Sequence, residues 1–265
     1  MNSTVITVTS GKGGVGKTTT TANVSVALAL IGYKVVAIDS DIGLRNLDVV
    51  MGLESRIVYD LVDVVDGVCR LKQATIRDKR VKGLFLIPAA QTRDKTAITQ
   101  ENMISVCEEL KKDFDYILID SPAGIEQGFK NALAPANRCI IVTTPEVSSV
   151  RDADRIIGLI EAADKGPSQL VINRVRQEMV DRGEMLDVDD VLDILGIELV
   201  GVIPDDEAII ISTNKGIPAT LEDDSLASRA LKNVAYRVTG KQIPFLDLHQ
   251  PLNLFQRFSK LWNRG

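Results

Sequence analysis

Along most of the chain, short β-rich apolar runs alternate with longer stretches in which apolar positions recur at helical spacing. That alternation is the signature of successive strand–helix–strand units and a parallel sheet. Seven strands are predicted: Val5–Thr9, Lys34–Asp39, Leu84–Pro88, Tyr116–Asp120, Cys139–Thr143, Gln169–Asn173 and Leu199–Ile203. Helical spacing marks Thr18–Ile31, which closes on Gly32, and also Gln100–Lys112, Ser148–Ala163, Val188–Leu195 and Ser225–Thr239. The expected fold class is α/β: a doubly wound, mostly parallel sheet of seven or eight strands flanked by helices. No repeat, low-complexity block or linker divides residues 1–240, which read as one domain. The character changes after Gly240, so residues 241–265 read as a linker and tail.

Composition narrows the function classes. With 45% apolar and 25% charged residues over 265 positions, the chain can bury a sizeable core and is neither disordered nor collagen-like. A net charge of −5 offers no broad cationic surface, so nucleic acid is not an expected partner and any anion site must be local. No apolar stretch approaches the ~20 residues of a spanning helix. The N-terminus, Met1-Asn2-Ser3-Thr4, lacks the basic-then-apolar pattern of a signal peptide. Cys69, Cys107 and Cys139 are too scattered for a disulfide framework or a CxxC metal site, and a reducing compartment suits them. His249 is the single histidine and sits in a polar stretch, which leaves no material for a histidine triad or zinc centre.

Directly after the first strand comes Gly11-Lys12-Gly13-Gly14-Val15-Gly16-Lys17-Thr18-Thr19, followed at once by a helix. This is G-x-x-x-x-G-K-T in its strand–loop–helix setting. Its glycines let successive backbone N–H groups turn inward onto phosphate oxygens, and the helix N-terminus adds partial positive charge. Lys17 is placed to reach the β- and γ-phosphates, and the Thr18 hydroxyl to ligate Mg²⁺. The setting assigns the chain to the P-loop NTPase type. Two predicted strands end in acids: Val36-Ala37-Ile38-Asp39-Ser40-Asp41, and Tyr116-Ile117-Leu118-Ile119-Asp120. Acids at the carboxyl edge of a parallel sheet lie where ligands bind, and Asp120 closes an apolar run in the manner of a carboxylate that holds Mg²⁺ through its water shell.

Lys12 is not required by the general loop. With Gly11, Gly13 and Gly14 it makes the chain resemble the deviant Walker A, or ParA/MinD, family of ATPases. Asp39-Ser40-Asp41-Ile42-Gly43-Leu44-Arg45-Asn46-Leu47-Asp48 and its continuation through Glu54 extend the resemblance. So do Asp120-Ser121-Pro122-Ala123-Gly124-Ile125-Glu126, the stretch Thr144 to Arg155, and Ile203-Pro204-Asp205-Asp206. Together they look like the family's septum-site-determining members.

The resemblance implies an ATP-hydrolysing switch of low basal activity that dimerises around two ATP molecules with Mg²⁺. It implies that Lys12 crosses to the partner subunit's ATP, although an ordinary surface lysine is the alternative. It assigns Asp41 to orienting the attacking water, where position matters more than basicity. Asp39 would support the metal region or serve a structural hydrogen-bonding role. Asn173 and Pro204 would frame the adenine, or be turn formers. Implied partners are a MinC-type division inhibitor and a MinE-type activator, with Ser148–Arg155 a candidate contact. Implied residence is cytoplasmic, peripheral on the inner face of the cell membrane or on a plastid envelope. A flagellar-placement ATPase, a chromosome-partition ATPase and an ATP-binding scaffold are the alternatives. An iron–sulfur reductase is disfavoured, since the loop after Asp120 carries no cysteine.

The tail supports a membrane role by its own pattern. Projected at about 100° per residue, Leu254, Phe255, Phe258, Leu261 and Trp262 gather within an arc of about 120°. Arg257, Lys260 and Arg264 fall on the other face, and no acid follows Asp247. An apolar face with basic flanks and an aromatic anchor reads as an interfacial helix on anionic lipid, a helix docked on the protein's own core being the alternative. Burying five such side chains yields at most ~1.5–3 kcal/mol each, against ~1–2 kcal/mol to order each of some ten residues. One tail therefore binds marginally, whereas two in a dimer gain avidity of ~10²–10⁴.

Overall fold

The computed structural model describes residues 3–222 and 224–248. The amphipathic segment, with Leu254, Phe255, Arg257, Phe258, Lys260, Leu261, Trp262 and Arg264, lies outside the described residues. Eight strands form one sheet: β1 Thr4–Thr9, β2 Val35–Asp39, β3 Ile76–Arg77, β4 Leu84–Ile87, β5 Tyr116–Asp120, β6 Arg138–Thr143, β7 Ser168–Val175 and β8 Glu198–Pro204. Their order is β3-β4-β2-β5-β1-β6-β7-β8. Every pairing is parallel except β3 with β4. The seven predicted strands are all present, and the eighth is the short antiparallel β3. Two residues are too few to leave a periodic signal.

Period-two alternation sends successive side chains to opposite faces, and both faces are covered, which is why the strands read as continuous apolar runs. On one face Ile6, Val8, Val35, Ala37 and Leu118 pack under the helices Lys17–Leu30 and Leu226–Val238. On the other, Val5, Val36, Ile38, Ile117 and Ile119 meet Met103, Val106 and Leu110 of the helix Gln100–Leu110. A third cluster sets Cys139, Ile141, Leu170 and Ile172 against the helices Val147–Ala162 and Val188–Leu195. Burial pushes the Cys107 and Cys139 thiols up to about 12, so both behave as small apolar side chains.

Short helices that sequence periodicity missed flank the sheet edge. Leu61–Val65 starts on a capping box in which Asp60 accepts from Val62 and Asp63 N–H while Asp63 accepts from Asp60 N–H. Glu207–Asn214 is capped by Asp206, which accepts from Ala208 N–H. Residues 241–248, read from sequence as linker, lie along the domain. Arg237 donates to the Ile243 and Pro244 carbonyls and stacks 3.8 Å from the Phe245 ring, while Leu246 and Leu248 pack on two of the apolar clusters.

Strand order reverses at β1, which has β5 on one side and β6 on the other. The loop after β1 therefore opens at the topological switch point, where an open parallel sheet forms its ligand crevice.

A clamp on Arg80 ties the β3–β4 turn, at the amino edge of the sheet, to the chain at Met51 and Gly216. Its guanidinium pairs with the buried Asp78 carboxylate at 2.7 Å and donates to the Gly216 and Met51 carbonyls. Arg80→Ala is expected to cost about 2–3 kcal/mol in urea unfolding, below the fully buried range because a third of Arg80 meets solvent. Removing Asp78 as well (Asp78→Asn with Arg80→Met) should recover part of that loss. An Arg80→Ala protein as stable as the parent would show the clamp to be incidental.

Candidate nucleotide-binding site

The loop Gly11–Gly16 bridges β1 and the helix Lys17–Leu30 and is held from three directions. Asn173, near the end of β7, donates from Nδ2 to the Val15 carbonyl at 2.7 Å. The Ser10 hydroxyl donates to the Lys12 carbonyl at 2.7 Å. On the outer side Gly11 lies so close to the Asp152 backbone that a Cβ would overlap it. Gly16 has φ near 101° and faces the Asn173 amide, which leaves no room for a side chain. The loop is thus positioned by β7 and the helix Val147–Ala162 as well as by its own two ends.

Parallel register places the two strand-ending acids side by side, Asp39 opposite Asp120. Both are almost fully buried. Burial raises Asp120 to about 7, with the Asp39 charge adding to the rise and hydrogen bonds from Thr18 and Thr21, together with the Lys17 ammonium, opposing it. Burial likewise raises Asp39 to about 6, opposed by backbone N–H groups. Those donors are Asp41, Asn46 and Leu47, at 3.0, 3.1 and 3.0 Å. Asp39 therefore anchors the loop that carries Asp41 as well as flanking Asp120, so its two candidate roles are geometrically compatible. Lys17 is buried; burial lowers its pKa while the Asp120 and Asp41 charges raise it.

The Thr18 hydroxyl, Asp120 and Asp39 form an all-oxygen donor set at the foot of the loop. Two buried carboxylates beside a hydroxyl, both raised by burial and each also by a neighbouring acid, Asp41 for Asp39 and Asp39 for Asp120, suit Mg²⁺. That ion binds through one or two carboxylates plus phosphates rather than an all-protein cage. Mg²⁺ bound there would neutralise phosphate charge.

Other predicted residues lie around this centre. Lys12 is half-exposed, its Nζ 3.7 Å from Glu146 and 3.5 Å from the Ser148 hydroxyl, so it points away from its own loop and across the surface. Asp41 begins the loop after β2, with its N–H on Asp39. Asn173 and Pro204 end neighbouring strands, β7 and β8, with Pro204 in register with Val175. The Asn173 amide nitrogen is engaged by the phosphate loop.

Sequence reasoning missed two residues. Thr21 shares its hydroxyl between the Lys17 carbonyl at 3.0 Å and Asp120 Oδ1 at 3.2 Å. Its spacing of three from Thr18 on one helix was the available signal. Ser40 donates from Oγ to the Asp120 carbonyl at 2.7 Å, tying β2 to β5 beyond their last paired residues.

A doubly wound sheet with this loop at its switch point defines a P-loop nucleotide-binding protein. Residues 6–219 match the CobQ/CobB/MinD/ParA nucleotide binding domain family. The septum site-determining protein MinD of Synechocystis is 58% identical over 244 residues, 92% of either chain. A chain of the MinC:MinD cell division protein complex of Aquifex aeolicus superposes with a TM-score of 0.87 at 48% identity, over 92% of this chain and 99% of that one. The septum site-determining MinD of Pyrococcus horikoshii, complexed with Mg-ADP, superposes with a TM-score of 0.82 at 31% identity, over 89% and 96%. The chain belongs to the MinD family of septum site-determining ATPases.

Two outcomes follow from the geometry. Asn173→Ala removes the Val15 tether, and nucleotide affinity measured by fluorescence titration is expected to fall about tenfold, the worth of one hydrogen bond; unchanged affinity would make the tether dispensable. The acid pair sets a pH dependence. Because Asp39 and Asp120 titrate higher in the folded than in the unfolded chain, their contribution to the stability of the metal-free protein is greatest below about pH 4 and is lost as pH rises to about 7. Asp120→Asn should flatten that part of the melting-temperature profile and abolish the stabilisation that Mg²⁺ adds to bound nucleotide. A wild-type-like profile in the variant would refute the assignment.

Proposed function

We propose that this protein is a Mg²⁺-dependent ATPase that dimerises with ATP, binds membrane reversibly through its tail and places the division septum. Belonging to a septum site-determining family carries the biological role. The observation that carries the chemistry is the convergence of Lys17, Thr18 and Asp120 on one phosphate loop, with Asp39 alongside. Lys17 and the loop N–H groups bind the phosphates. Thr18 and Asp120 hold the ion, with Asp39 beside them. Asp41, set by the three backbone bonds on Asp39, orients the attacking water. Phosphoryl transfer needs positioning and charge compensation more than covalent chemistry, which suits a site without histidine.

Lys12 acts across the dimer. Its ammonium lies over the surface toward Glu146 and Ser148, which leaves it available to a second subunit's triphosphate once that stronger anion competes with Glu146. The Aquifex neighbour was solved with MinC, which supports a MinC-type inhibitor as the partner of the ATP form; a MinE-type activator completes the cycle. Paired tails carry residues 251–265 to an anionic surface, and hydrolysis, by separating the subunits, releases them.

Vesicle sedimentation with ATP and with ADP tests this. Full-length protein should sediment with anionic vesicles in ATP and far less in ADP. Removing residues 251–265 should abolish sedimentation while leaving nucleotide binding intact. Lys12→Ala should bind ATP as a monomer, seen by light scattering, and release phosphate slowly. Equal sedimentation in the two nucleotides would defeat the switch.

A further inference from the structure

Thr21 lies in the helix Lys17–Leu30, four residues after Lys17 and three after Thr18, and is completely buried. Its Oγ1 has two acceptors within reach, the Lys17 carbonyl at 3.0 Å and Asp120 Oδ1 at 3.2 Å. A hydroxyl carries one hydrogen, so it donates to one of them at a time. Bonding back to the carbonyl four residues earlier is the ordinary habit of a helical threonine. An ionised carboxylate outcompetes that neutral carbonyl, because a charged acceptor roughly doubles the strength of the bond. With Asp120 ionised, as a cation would hold it, the Thr21 hydrogen goes to Oδ1.

We propose that Thr21 is a positioning residue for the divalent cation: by holding Asp120 Oδ1 it fixes the plane of the carboxylate and leaves the other oxygen to the ion or its water shell. This rests on reading Asp120 as a holder of Mg²⁺. The two acids are restrained by different means. Asp39 is held by three backbone N–H groups, whereas the Asp120 side chain accepts from the Thr18 and Thr21 hydroxyls. Thr18 begins the helix, where its hydroxyl also serves the ion. Thr21 sits almost one turn deeper, shut off from solvent, and its hydroxyl has no phosphate to meet. It therefore holds Asp120 whether or not nucleotide is present. Asp39 lies opposite Asp120 in the strand register, and its charge favours turning the Asp120 carboxylate away. A donor fixed on a buried helix opposes that turn.

Hydrogen-bond donors that stand behind a metal-binding carboxylate carry about 10–100-fold in metal affinity. The effect is confined to the cation. Neither bond of the Thr21 hydroxyl reaches the loop Gly11–Gly16 or the Lys17 ammonium, so nucleotide binding without the ion does not depend on it. That separation distinguishes a positioning role from a structural one, since a residue that merely packs the helix supports both kinds of binding.

Thr21→Val keeps the shape of the side chain and removes its hydroxyl. ADP affinity of the full-length protein is measured by equilibrium dialysis, first in EDTA and then across a titration with MgCl2. In EDTA the variant should bind ADP as the parent does. The MgCl2 concentration that gives half of the ion's effect on ADP affinity should rise about tenfold. Thr21→Ser, which keeps the hydroxyl, should return that midpoint to the parent's value. Thr21→Ala also lacks the hydroxyl, and it should give the same shifted midpoint even where the valine methyl crowds the helix. With ATP, phosphate release by Thr21→Val should be slow at limiting MgCl2 and recover as MgCl2 saturates. A parent-like midpoint in both Thr21→Val and Thr21→Ala overturns the proposal. So does a loss of ADP affinity in EDTA equal to the loss with MgCl2, and so does failure of Thr21→Ser to rescue, since each marks a packing role. A parent protein whose ADP affinity ignores MgCl2 overturns the cation reading of Asp120 and this proposal with it, an outcome separate from the others because it needs no variant.

Discussion

Two carboxylates forced together at the end of β2 and β5 set the terms for the rest of the site. Parallel register leaves Asp39 and Asp120 no way to avoid each other, and burial removes the water that would screen them. The protein compensates asymmetrically. Asp39 is given three backbone N–H groups, which at the same time fold the loop carrying Asp41 into place. Asp120 is given the Thr18 and Thr21 hydroxyls and the neighbouring Lys17 charge. Neither set removes the repulsion, and both acids remain far above the ordinary carboxylate range. A divalent cation bound there with nucleotide would relieve that repulsion at the ends of β2 and β5.

The extent to which this was readable from sequence follows from what makes a residue periodic. β1, β2 and β5 are buried on both faces, so their apolar runs were legible and their terminal acids stood out. The phosphate loop was legible because its spacing is imposed by phosphate geometry, independent of the rest of the chain. β3 was not, since two antiparallel residues carry no period. The Asn173 tether was invisible for another reason. It joins residues 158 apart through one amide, and nothing local in β7 distinguishes an asparagine that holds the phosphate loop from one that meets a base. Residues 241–248 lack helical or strand spacing, and their docking depends on a guanidinium stacked on Phe245 and bonded to two carbonyls. Such single-residue interactions leave no pattern in a window of sequence.

In the proposed dimer, Lys12 would divide the site between subunits. A triphosphate in the loop meets the Lys17 ammonium, the loop N–H groups and the helix N-terminus from one subunit. Lys12, one residue into the same loop, spends its charge on Glu146 instead. Glu146 is half-exposed and solvent-screened, so the pair is worth at most ~1 kcal/mol. A second subunit's phosphates would present more negative charge in a crevice closed from water, where the same ammonium would interact more strongly. On the proposed reading, the weak intramolecular pair would be the resting position of a group whose stronger partner comes with dimerisation. Such an exchange would need no rearrangement of the sheet, only the movement of one flexible side chain between two anions of unequal strength.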